Sequence, residues 1–487
     1  MICDKNQKKD IYLDLDIDEN RVEFSASIDD AISKAETDLV KLNETIESVK
    51  NLRSDCDRID YALAASSGLL CGIIDLFLVG KPGESPLGEI TDNWFANRVI
   101  DFTNLLRHFT SKTNEVKKFE RLDQALRYLE RLFKVPYDQT GVGDAGKEVF
   151  GLNAKNHHFK NLAHNPSIMG LFFSILDQFT NSSHFVTDGQ LICLENADGE
   201  WELRGRSIIT KFFCGIANWI GHLISDVSGS QSSAKKGNRG MGIPSPFWTW
   251  TNDIIVIKTK LGLEVTEFDK ALNDLALNIF EQGYDTRFQA TQAIPVVVNE
   301  LTVRLLYSIR RLFKYYSDTN REDRSFKVMW QKCKPFSNPT ITRMLTVAHG
   351  TFCLIDMGDA VGRGYATGAG AFNVVEFVLR LNIVGVGRFT IALYGEAKMA
   401  FAYRQRLKEA NMADRQIIIL DNYIKGLKIL QKKYNDRLLL TFIDDFQDSV
   451  AYKDAFKKSA ELAELREVNK DRVLKDKNDI DRYFGGK

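Results

Sequence analysis

Gly68–Gly80 reads GLLCGIIDLFLVG: twelve of its thirteen residues are apolar or glycine, and the exception, Asp75, stands near the middle. A buried carboxylate is tolerated only when it is paired or fully hydrogen-bonded. The run has no proline, and residues 28–60 lead into it with apolar side chains at Ile32, Ala35, Leu39, Leu42 and Ile46. Steps of three and four place these on one helical face. Continued through the run, the same spacing puts Gly68, Gly72 and Asp75 on one face. Ala65, Gly68 and Gly72 let a second backbone approach closely. The stretch therefore reads as an apolar helix with a small-residue face ending in one acid.

The pattern recurs. Apolar runs occupy 61–80, 166–180, 208–229, 341–361 and 372–401, and the whole chain holds nine prolines in 487 residues. The fold expected is mainly α: a large helical bundle with buried small-residue-rich apolar helices. A small β-hairpin insert, or a three-stranded one, is expected near 184–207, where alternation meets the turn signals Asp188-Gly189 and Asp198-Gly199. Residues 10–17 (DIYLDLDI) alternate as a strand would. Three segments follow: 1–60, polar with an amphipathic helix; 61–401, the apolar helical core; and 402–487, a charged helical layer with a frayed end.

Lys+Arg and Asp+Glu are 65 each and mean hydropathy is −0.23. Zero formal charge removes any global case for nucleic acid. The seven cysteines are scattered without a CxxC pair, as in a reducing compartment. The N-terminal residues contain no apolar stretch of signal-peptide type, so a cytoplasmic chain is expected, with membrane association left open. The run 61–80 just reaches the length of a spanning helix, and small-residue faces suit packing in water or in lipid.

Four apolar runs each carry one Asp able to point inward: Asp75, Asp177, Asp226 and Asp356. His222 stands four residues before Asp226, and His349 seven before Asp356. These residues predict a buried polar seam, with Arg380 and Arg388 as partners. It reads as a structural network, as a metal or hydrolytic centre built from His222, Asp226, His349 and Asp356, or as a proton or ion path. No HExxH or ExxH motif supports the second reading. Three histidines in eight residues, His157, His158 and His164, suggest a metal site or, more simply, a polar helix-to-loop segment closed by Asn165-Pro166.

Two further patterns concern anions. Residues 226–246 (DVSGSQSSAKKGNRGMGIPSP) are rich in Gly and Ser, and Lys235, Lys236 and Arg239 make the segment a candidate phosphate or lipid-headgroup loop; a mobile surface loop is the plainer reading. Gly141-x-Gly143-x-x-Gly146 has dinucleotide spacing but does not follow a strand. Residues 301–318 (LTVRLLYSIRRLFKYYSD) form an amphipathic helix with Arg304, Arg310, Arg311 and Lys314 beside Tyr307, Tyr315 and Tyr316. Such a helix lies on an anionic membrane or packs its apolar stripe on the core.

KNHHFKNLAHNPSIMGLFFSILDQFT (155–180), NWIGHLISDVSGS (218–230), RGMGIPSP (239–246) and RMLTVAHGTFCLIDMGDAV (343–361) together resemble a family of large uncharacterised bacterial proteins associated with Gram-positive chromosomes and mobile elements. The resemblance covers most of 60–400. It implies a bacterial accessory or defence role and carries over no activity, cofactor or site residue. The leading expectation is a membrane-associating or membrane-active helical effector. The alternatives are a soluble metal- or phosphate-dependent hydrolase using the His/Asp seam, and a soluble helical scaffold.

Overall fold

The computed structural model describes residues 28–50, 52–110, 118–137, 150–195, 201–229, 240–336, 338–433 and 452–469, with 472–475, 478–479 and 482 beyond them. Among these the chain is mainly helical, with one two-stranded hairpin. The elements in order are α1 (Ile28–Lys50), α2 (Arg58–Ile74), α3 (Pro86–Thr110), α4 (Leu122–Leu132), α5 (His157–Lys160), α6 (Ile168–Thr180), β1 (Ser182–Thr187), β2 (Gln190–Glu195), α7 (Ile208–Asp226), α8 (Pro246–Lys260), α9 (Glu267–Glu281), α10 (Thr286–Asp318), α11 (Phe326–Cys333), α12 (Pro339–Ala366), α13 (Val374–Arg380), α14 (Ile383–Lys433) and α15 (Tyr452–Leu465). The hairpin turns at Asp188-Gly189, where both residues have positive φ. Residues 10–17, 141–147 and 230–239, which carry the alternating segment, the glycine fingerprint and the cationic loop, lie outside the described residues.

Two compact units divide the chain, Ser54–Met399 and the pair Met1–Arg53 with Ala400–Lys487. In the second, α1 buries Ile32, Ala35 and Val49. A groove there is lined by Asp38, Leu42, Ile419 and Leu420 among others, and Lys428 pairs with Glu36 at 2.8 Å.

The larger unit is organised around α2. Asp57 caps this helix by accepting from the Ile59 and Asp60 amides at 2.9 and 3.0 Å, while Asp60 accepts from the Asp57 amide, a reciprocal capping box. The helix then widens into a single π turn, Asp75–Val79, closed by Gly80 in the left-handed region. Along its length α2 runs parallel to α12: Asp55 meets Thr340, Gly68 faces Ala348, and Gly72 faces Ile355. A Cβ on Gly68 would stand 2.1 Å from the Ala348 carbonyl oxygen, so the approach requires glycine. Helix α10 runs the other way, bringing Arg311 to Asp60, Asn299 to Ser67, and Gln292 to the level of Asp75.

Three polar layers thus cross an otherwise apolar three-helix packing. At one end the fully buried Asp60 pairs with Arg310 and Arg311. In the middle, Ser67 donates to Asn299 at 2.7 Å, and Asn299 lies 3.4 Å from His349 Nδ1. At the other end, Asn382 donates from Nδ2 to Asp75 at 2.5 Å and from its amide to both Asp356 oxygens at 3.0 Å. Between the layers lie Ala64, Val303, Met344, Leu345, Cys71 and Phe352. A second cluster of buried polar side chains lies in this unit, where the residues around α5 meet the end of α7.

Candidate metal centre

That cluster is built from two short stretches. The first is NHHFKNLAHN, 156–165. Asparagines fold it tightly: Asn153 Oδ1 accepts from the Lys155 amide at 2.7 Å, Asn156 Oδ1 accepts from the Asn153 amide at 2.8 Å, and Asn161 Oδ1 accepts from the Ala163 amide at 2.9 Å. Such local bonds favour turns over a continuous helix. The product is α5 followed by a single 3₁₀ turn, Leu162–His164, which stops before Pro166. His158 and His164 are both turned inward, at 5% and 0% exposure.

The second stretch is GHLISD, the last turns of α7. His222 and Asp226 are one helical turn apart and share a face. Trp219 Nε1 donates to the Ala163 carbonyl at 2.9 Å and ties α7 to the first stretch. Gly221 admits the ring of Phe133: a Cβ there would lie 2.2 Å from it.

Three of these side chains, His158, His164 and Asp226, converge, and His222 stands beside two of them. Asp226 Oδ2 lies 3.1 Å from His222 Nε2, 3.6 Å from His164 Nε2 and 3.8 Å from His158 Nε2. The His164 and His222 Nε2 atoms are 3.2 Å apart. His158, His164 and Asp226 each offer a ligand atom within 4.8 Å of the others, a spacing that one cation can share, and His222 adjoins them through Asp226 and His164. Among the described residues Asp226 Oδ2 has no hydrogen-bond partner, an unusual state for a buried carboxylate oxygen.

Surrounding groups orient the imidazoles. His158 Nδ1 lies 3.2 Å from the Gly242 carbonyl, which places its proton on Nδ1 and turns the Nε2 lone pair inward. Gly242 is itself held, its amide donating to Asp285 Oδ2 at 3.2 Å. Arg287, 2% exposed, donates to that carboxylate at 2.6 Å and to the Gly240 carbonyl at 2.9 Å. The Tyr137 ring stands edge-on to His164 and His222, with centroids 5.3 and 5.6 Å away. Burial first, then the neighbouring imidazoles, holds His164 well below the usual histidine range and therefore neutral. Burial also raises Asp226, against the pull of His222 and His157. Neutral imidazoles are the form that binds a metal.

The other residues singled out from the sequence sit elsewhere. His349 and Asp356 lie on α12, in the middle and end layers beside α2, and pair with Asn299 and Asn382. Asp177 is fully buried against His184 at 2.5 Å, next to the hairpin. Arg380 pairs with Glu376 at 2.8 Å and Arg388 with Glu300 at 2.7 Å. In α10, Arg304 holds Glu300, Arg310 and Arg311 hold Asp60, and Tyr315 donates to the Ser325 carbonyl, while Lys314 is exposed. The expected quartet thus keeps His222 and Asp226, while His158 and His164 complete the cluster. Their sequence signal was three of the chain's seven histidines within eight residues.

Two helical stretches, Arg58–Val79 and Ile208–Asp226, are long and apolar enough to cross a membrane by length and composition. Comparison of the chain with protein-family models, curated proteins and solved structures finds no match in any of the three.

Proposed function

We propose that this chain is a metal-dependent hydrolase centred on His158, His164, His222 and Asp226. One observation carries the reading: an unpartnered buried carboxylate oxygen stands 3.1–3.8 Å from three imidazole nitrogens. Three imidazoles and one carboxylate suit zinc, iron or manganese. A divalent ion bound there supplies Lewis acidity and a water of lowered pKa. The chain's own residues do the rest. Asp226 offsets one unit of the cation's charge, Gly242 holds His158 in the binding tautomer, and Tyr137 keeps one side of the centre dry. In the reaction, a water oxygen bonds to the ester carbon or phosphorus. The alkoxide leaves with its bonding electron pair and takes up a proton from that water.

The test is elemental analysis of purified chain equilibrated with zinc, iron or manganese, followed by turnover of activated carboxylate and phosphate esters. One equivalent of metal is expected, with hydrolysis. His164→Ala and Asp226→Asn are each expected to lose metal affinity by more than the about 10–100-fold typical of a lost supporting contact. No retained metal in the wild-type chain refutes the centre. The three mutually close donors leave a position open for water; a second reading, a structural metal, holds where His222 closes the site as a fourth ligand. Tight metal without turnover on any ester selects it.

A further inference from the structure

Helix α7 joins the metal centre to an unusual surface. Its length and composition are those of a membrane-crossing helix, yet the residues it buries are Gly215, Gly221, His222, Ser225 and Asp226, none of them a large apolar side chain. Ile209, Phe212 and Phe213 are 69%, 44% and 64% exposed, and Ile220, two residues before His222, is 47% exposed. Helix α6 packs antiparallel beside it, Gln178 reaching Gly215 and Asn218. It adds Ile168, 87% exposed and four residues beyond His164, and Phe172, 56% exposed. Scattered exposed apolar residues are ordinary, but six of them on two adjacent helices make a candidate interaction surface.

Charge identifies the occupant. From Leu203 to Ser225 the chain contains no carboxylate; Lys211 is paired with Glu202 at 2.8 Å, and Arg204 and Arg206 stand just before the α7 N-terminus. Arg204 and Arg206 are exposed, and no ion pair involves them among the described residues. An apolar face bordered by cations matches an anionic lipid surface, with aromatic and aliphatic side chains in the acyl boundary and guanidinium groups among the headgroups. Helix α7 lies along such a surface rather than across it, because its last turn is built into the buried centre and it packs against α4 and α6.

We propose that the α6–α7 face docks on an anionic lipid bilayer, and that the substrate of the adjoining centre is an amphiphilic ester or phosphoester held in that bilayer. The substrate half rests on the hydrolase reading; the docking half does not.

The test floats the detergent-free full chain with vesicles of phosphatidylglycerol and phosphatidylcholine, or of phosphatidylcholine alone. Metal content and hydrolysis of vesicle lipid and of a water-soluble activated phosphodiester are read in parallel. Co-flotation with the anionic vesicles is expected. The double variant Ile209→Ser, Phe213→Ser is expected to float about tenfold less, the equivalent of about 1.4 kcal/mol. It is expected to lose vesicle hydrolysis in proportion while keeping its metal and its turnover of the soluble ester. A chain that retains metal but floats with neither vesicle overturns the docking, as does one whose exposed face proves to hold two copies together in solution. A chain that floats but binds no metal overturns the hydrolase reading and the substrate half with it. A chain that floats, binds metal and cleaves only the soluble ester overturns the substrate half alone.

Discussion

Asp75 finds its partner in Asn382, 307 residues away along the chain. Asp356 shares that asparagine, and both acids are 3% exposed. Among the described residues no cation bonds to either carboxyl; the nearby charge is Asp359, which Arg380 and Arg363 accompany, and the nearby titratable groups are Tyr284 and Cys353. Burial pushes Asp75 up to about 6, while burial and then the Asp75 charge push Asp356 up to about 9. Both folded values exceed the unfolded ones, so the folded chain holds extra protons above pH 4. Their contribution to stability is complete at low pH and is lost as pH rises toward 9, by about 1.4 kcal/mol per pH unit for one proton. Asp356→Asn keeps an acceptor for the Asn382 amide and removes the second charge. Urea denaturation from pH 6 to 9 should therefore show the wild type weakening relative to Asp356→Asn. Parallel curves would refute the shared-proton account.

At the scale of elements, the α2–α12 contact depends on the absence of side chains. Gly68 faces the Ala348 carbonyl and Gly72 faces Ile355. Helix propensity alone makes Gly68→Ala stabilising by about 1 kcal/mol. The backbone oxygen in its path reverses the sign, and we expect a loss of about 1–3 kcal/mol from overpacking. Gly358, on α12 with open space around it, serves as the control, where Ala should stabilise. Chemical denaturation of the two variants decides the matter: a stabilised Gly68→Ala would mean that the helices stand further apart. The close approach was legible in the sequence as a small-residue face. The parallel partner was not, because many helices in this chain offer such a face and only packing selects among them.

At the scale of the molecule, the proposed metal centre joins two stretches 58 residues apart, the turn around His164 and the end of α7. A cation held by both adds its binding free energy to folding, about 2.7 kcal/mol when free metal is 100 times its Kd. Dialysis against a chelator should lower the melting temperature of the wild type, and zinc should restore it, while Asp226→Asn should respond to neither. An unchanged wild type would show that no metal holds these stretches together. The sequence by itself determined what is written within a few turns: the helical class, the Asp188-Gly189 hairpin, and the spacing that sets His222 beside Asp226; the break between Lys50 and Arg58, where Asp57 caps α2, is not among these, and the periodicity runs through it as continuous helix. These follow from backbone periodicity and local hydrogen bonds, which act over a handful of residues. Only the tertiary structure decided which buried acid meets which partner. It sent Asp75 and Asp356 to Asn382 and left His349 with Asn299. It also turned His158 and His164, which read as a polar loop, toward Asp226. Burial makes such polar partnerships obligatory, but the partner is whichever group the packing of distant helices brings within hydrogen-bond reach.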